Sequence, residues 1–264
     1  MSRQFLLRLA TLFLTLAIAR QVIGAEIEIK TNFVPEGARE QLPLDLLNLA
    51  FSYDAENKYR LTQHHENVNQ ERLRGMVNDG QISIMWVGTR PDLEEDFIPI
   101  RVPLFKGLLG HRIFIIRNGE QAKFSQVNTL QDLLALSAGQ GRYWGDTPIL
   151  ENAGIPVVKP VKYPNLFHML DGERFDYFPR AVHEPWDEVA SRPELNLTIE
   201  SDLMLVYPMP LYFFTSKQNQ ALADTLERGL LKAIDDGSYD EVFFKQCCNS
   251  GCNRTNQYSK PKSF

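Results

Sequence analysis

The sequence is poor in cysteine, in basic excess and in long apolar runs. Three cysteines stand among 264 residues, all at the C-terminal end as Cys247, Cys248 and Cys252. That is too few for a disulfide-built scaffold. In an oxidising compartment Cys252 can pair with one of the other two, and a zinc site lacks an obvious fourth ligand. Lys and Arg number 28 against 33 Asp and Glu, a formal charge of −5. This lacks the cationic surplus that neutralises nucleic-acid phosphates, so no nucleic-acid partner is expected. Past residue 25 no stretch approaches the roughly 18 apolar residues of a membrane span. Low-complexity segments and internal repeats are also missing. What is present is ordinary globular usage, 44% hydrophobic and 23% charged, which excludes disorder and collagen-like structure.

The first 25 residues run from basic to apolar to small. Arg3 and Arg8 are followed by an apolar core from Leu9 to Ala19, and Gly24-Ala25 closes the segment. This order is that of a secretory signal peptide, with a core too short to cross a bilayer. Cleavage after Ala25 removes three Arg and no acidic residue. The mature chain then carries 25 basic and 33 acidic residues, a net charge of −8. An exported, periplasmic protein is expected.

From residue 26 onward, strand and helix patterns alternate. Glu26 to Thr31 alternates polar and apolar residues, as a half-buried strand does. Leu42, Leu46, Leu47, Leu49 and Ala50 mark one helical face. Leu73, Met76 and Val77 form the buried stripe of a helix starting at Asn69 or Gln70 and closed by Gly80. Ile82 to Val87 and His111 to Arg117 read as strands, with a polar loop from Gly88 to Asp96 between them. Thr129 and Asp132 open a helix. Asp146 stands at the N-cap of another, with Pro148 in its first turn. A long helix with Leu222, Leu226, Leu230 and Ala233 on one face ends the regular part. Alternation of this kind predicts an α/β fold with largely parallel sheets, because parallel strands need crossover connections.

Several stretches resemble the two-lobed periplasmic solute-binding proteins of the polar-amino-acid class. They are the helix, Asp79-Gly80 turn and strand from Leu73 to Ile84; Pro103 to Arg117; Thr129 to Leu133; Gly172 to Phe178; and Ile234 to Lys245. Their order and spacing cover residues 26–245. The resemblance implies a two-lobed fold, with two mainly parallel sheets, flanking helices and two crossover strands. Residues 1–25 are then the signal peptide, residues 26–113 plus 213–264 lobe 1, and residues 114–212 lobe 2. It further implies a monomer that captures a small polar solute, amino-acid-like or a small carboxylate, for uptake or sensing. A membrane permease or sensor would be its partner. No cofactor, metal or catalytic residue is expected. A lyase-type or dehydratase-type enzyme, or a sensory module, is the alternative on the same fold.

The resemblance also places candidate ligand residues. Trp86, Thr89 and Arg90 occupy the loop that in the family presents an aromatic residue, a Thr and a carboxylate-clamping Arg. A guanidinium fork suits two carboxylate oxygens, although Arg90 also reads as a surface residue of a charged loop. Phe105 lies on the cleft loop. Trp144 can stack on a ligand or serve the core. Asp146 and Thr147 match a helix start at the cleft, Asp146 as the cap or as a partner for a ligand amine. Arg180 stands where the family often has an Asp for the ligand's α-amino group, and favours an anion. Glu184 nearby is its structural alternative. No metal-binding spacing, nucleophile elbow or phosphate loop is present.

Overall fold

A computed structural model describes residues 26–32, 38–249 and 262–263. The signal segment and Cys252 lie outside the described residues, as do the side chains of Cys247 and Cys248. In chain order the elements are β1 (Glu26–Thr31), α1 (Ala38–Ser52), β2 (Lys58–Gln63), α2 (Gln70–Asn78), β3 (Met85–Gly88), α3 (Pro91–Asp96) and β4 (Phe97–Ile100). Next come β5 (His111–Arg117), α4 (Gln121–Ser125), α5 (Leu130–Leu133), β6 (Ala138–Gly139), α6 (Thr147–Asn152), β7 (Val157–Val158), α7 (Tyr163–Asp171) and β8 (Phe178–Ala181). The chain continues with α8 (Pro185–Ala190), β9 (Leu197–Ile199), β10 (Leu203–Val206), β11 (Leu211–Ser216), α9 (Gln220–Asp235), α10 (Ser238–Asn249) and β12 (Lys262–Ser263).

Two groups of strands result. In the first, β1 pairs with β2 in parallel, and an isolated parallel bridge from Thr31 to Ile84 leads to the sheet β3-β11-β4. In the second, β5 is central, flanked by β8, β9 and β10, and β6 pairs with β7 in parallel. The expected parallel pairing is found in β1–β2, β6–β7 and β10–β12, whereas the strands around β5 and β11 are antiparallel. Strand β11 runs antiparallel to β3 and β4, and β5 antiparallel to β8, β9 and β10. The reason is topological. β5 and β11 are the strands by which the chain passes between the two groups, so each enters its sheet against its neighbours. The group switch falls at Gly110–His111 and between Val206 and Leu211. Lys262–Ser263 pair with β10 of the second group, whereas the sequence reading put the tail in the first.

The first core forms where α1 lays Leu42, Leu46, Leu47 and Ala50 against Leu226, Leu230 and Ala233 of α9, over Ile29, Ile84 and Phe213. The helices approach closely because of Gly229: a Cβ there would sit 2.2 Å from the Ala50 carbonyl oxygen. The second group buries both sheet faces. Phe114, Ile116, Tyr177 and Leu205 cover one, and Ile115, Phe167, Leu170 and Phe178 the other. Helix α5 starts on a full capping box between Thr129 and Asp132, which satisfies two of its free N–H groups. The residues read as polar loop contain α3, whose single buried side chain, Leu93, leaves no periodicity to detect. Among the described residues no helix is long and apolar enough to cross a membrane.

The connections between groups pack tightly. Tyr207 donates its N–H to Gly110 O at 3.0 Å, and Thr89 donates its N–H to Pro210 O at 3.0 Å. A Cβ on Gly110 would lie 1.9 Å from the Tyr207 oxygen, so only glycine admits this crossing.

Candidate functional site

A cavity of about 930 Å³ opens between the two strand groups. Its first wall comes from the β1 end and the start of α2, with Asn32, Asn67, Asn69 and Arg72, and from Trp86 on β3. Its second wall comes from the loop before α6, the start of α7, the end of β8 and α8. That wall carries Trp144, Tyr163, Arg180, Glu184 and Glu188. The size fits a small organic ligand.

The second wall is built on ions. Arg180 is 5% exposed and grips Glu188 as a fork. Its Nε donates at 3.1 and 2.9 Å to the two Glu188 oxygens, and its Nη2 donates to Oε1 at 2.7 Å. Nη2 also pairs with Glu184 Oε1 at 2.9 Å. Tyr163 donates its hydroxyl to Glu188 Oε1 at 2.7 Å. The guanidinium carbon lies 5.0 Å from the ring centroids of Trp144 and Phe178 and 5.7 Å from that of Tyr163, within cation–π reach. Behind it Arg112, 3% exposed, pairs with Asp146 at 2.8 Å and reaches Glu184 at 3.5 Å. Tyr207 donates its hydroxyl to Asp146 at 3.0 Å. Burial by itself lowers the pKa of both guanidiniums. Glu184 and Glu188 outweigh it at Arg180, as Asp146, Tyr207 and Glu184 do at Arg112, so both stay charged above the ordinary value. Two cations and three carboxylates thus alternate along a buried row, with one negative charge in excess.

Of the eight sequence-derived candidates, Trp86, Trp144 and Arg180 line the cavity. Thr89 donates its hydroxyl to Glu94 at 2.7 Å. Arg90 pairs with Asp92 at 2.7 Å and donates to the Tyr143 carbonyl at 3.3 Å, joining the two groups. Phe105 is buried and stacks on His183 at 4.5 Å, a second contact across the groups. Thr147 donates its hydroxyl to Gly141 O at 2.7 Å. Asp146 stands at the N-cap of α6 yet makes no capping hydrogen bond, which corrects the expectation of a cap: Arg112 and Tyr207 draw its carboxylate away. Arg112 is buried and ion-paired. The expected alternative of Glu184 beside Arg180 is observed. Glu188 and Tyr163 went unnoticed in the sequence. The four-residue spacing of Glu184 and Glu188 was the available signal, since it puts both on one helical face. Among the described residues no cluster of three His, Cys, Asp or Glu is arranged to hold a metal.

No protein-family model matches this chain, and no curated protein sequence does. Solved structures do. An ancestral arginine-binding protein bound to arginine aligns with TM-score 0.61 at 15% identity, over 85% of this chain and 99% of its own. An arginine-specific periplasmic binding protein of Salmonella typhimurium gives 0.62 at 17% identity, over 84% and 99%. The GluR0 ligand-binding core from Nostoc punctiforme, in complex with L-glutamate, gives 0.59 at 13% identity, over 83% and 98%. The chain therefore has the two-lobed α/β fold of type II periplasmic binding proteins. These neighbours are binding proteins rather than enzymes.

Proposed function

We propose that this protein is an exported solute-binding protein that captures a small polar solute in the cleft between its lobes, for uptake or sensing, without chemical turnover. The observation that carries this is the cavity walled from both lobes, with Trp86 and Arg72 on one side and Trp144, Tyr163 and Arg180 on the other. An enclosure completed only by both lobes couples occupancy to closure, because the ligand binds best when both walls reach it. Similarity to arginine-bound and glutamate-bound proteins supports an amino-acid-like or small-carboxylate solute. On this reading lobe 1 comprises residues 26–110 and 211–249, and lobe 2 residues 111–206 with 262–263. The signal segment directs the chain to the periplasm, where as a monomer it meets a membrane permease or sensor.

A thermal-shift screen of amino acids, small carboxylates and short peptides, followed by calorimetry and product analysis, tests the reading. The expected result is one compound class that raises the melting temperature and is recovered unchanged. Chemical conversion of the compound overturns it in favour of an enzyme.

A further inference from the structure

The second-lobe wall holds the elements of a cation receptor: two carboxylates and three aromatic rings converging on one point. That point is occupied by the chain's own guanidinium. Arg180 is matched in charge and geometry by Glu188 and Glu184 and packed against Trp144, Phe178 and Tyr163. A free guanidinium or ammonium ion would seek the same partners, for the same reasons of bidentate geometry and ring quadrupole. At the mouth of the cavity the balance is reversed. The exposed residues lining it there are Arg72, Arg142 and Lys162 against Glu66 and Asp187, and none of the five makes an ion pair among the described residues.

We propose that Arg180 is a resident cation that fills the cation subsite of the cleft, so that the protein rejects cationic solutes and takes a carboxylate-bearing organic anion. This rests on the solute-binding reading above. The tethered guanidinium needs no translational entropy to reach its site, whereas a free competitor loses that entropy on binding. A cationic ligand would therefore have to displace a prepaid partner. An anion meets no such competitor and gains from the cationic mouth.

The test compares wild type, Arg180→Ala and Arg180→Lys by thermal shift and calorimetry with guanidinium chloride at low millimolar concentration, L-arginine, L-glutamate and succinate, each against matched sodium chloride. Arg180→Ala removes the guanidinium that Glu188 and Glu184 share and opens the ring-lined space. It should bind guanidinium on the order of 100-fold more tightly than wild type, while wild type and Arg180→Lys show no response to guanidinium or arginine. If Arg180→Ala fails to fold alone, refolding with guanidinium present should recover it. Failure to recover, with Arg180→Lys folding normally, overturns the proposal. So does wild type binding arginine more tightly than glutamate or succinate. Wild type stabilised by glutamate or succinate supports it. If no solute binds wild type, the solute-binding reading fails, and the guanidinium response of Arg180→Ala still decides whether Arg180 fills a cation subsite.

Discussion

The interior of lobe 1 and the cleft wall of lobe 2 are buried to a similar depth by opposite means. Between α1 and α9, hydrocarbon meets hydrocarbon: Leu42, Leu46 and Leu47 against Leu226 and Leu230. Each buried side chain there adds stability by leaving water, with no demand on angle. At the cleft wall Arg112, Arg180, Asp146, Glu184 and Glu188 sit in alternation. Each would be costly to bury alone and is tolerated because its neighbours match it. Apolar packing of equal volume would serve stability as well or better. On the proposed function, the charged row beside the cavity serves selection of what enters rather than stability.

The largest effect should come from breaking the row. Glu188→Ala leaves Arg180 with half its partners in a buried place, and should lower the unfolding free energy by about 4 kcal/mol, read from urea denaturation. In the apolar region, Leu226→Ala should cost about 3 kcal/mol through lost burial and a cavity. Leu226→Ala should lose the same amount at low and high ionic strength, and a loss that tracks ionic strength would contradict its apolar origin. Away from both regions, Thr129→Ala removes the capping box of α5 and should cost about 1 kcal/mol. The smallest effect is visible only in acid. Tyr59 donates its hydroxyl to Asp54 at 2.6 Å, and this bond first, with that from Asn57, lowers the Asp54 pKa from 3.8 to about 2. A folded pKa below the unfolded one adds stability that is full above the unfolded value and is lost as pH falls towards the folded value. Tyr59→Phe should therefore destabilise at neutral pH, with the gap to wild type closing between pH 4 and about 2. Melting curves across that range check the sign.

Legibility in the sequence followed the same division. The faces of α1, α2 and α9 could be read because apolar residues recur at helical spacing, and the stripe of Leu73, Met76 and Val77 is buried as expected. The Thr129 cap was readable because its partner lies three residues away. The resemblance points to Arg180 but gives no sign of Glu188 as its fork partner. Asp146 occupies a capping position, yet its carboxylate turns to Arg112, 34 residues earlier in the chain. Local rules see neighbours within a turn or two, and these partners meet only when β5, β8 and α8 are assembled.

The sequence by itself determined the alternation of strands and helices and the buried faces, because periodicity acts over a few residues, while Trp86, Trp144 and Arg180 were placed at the cleft by the resemblance to a known family. Only the tertiary structure decided that β5 and β11 run against their neighbours, that both lobes wall one cavity, and that Arg180 arrives there already paired. Strand direction depends on where the chain crosses between lobes. The charge a ligand meets depends on which ions fold against one another, and neither is recorded at any single position.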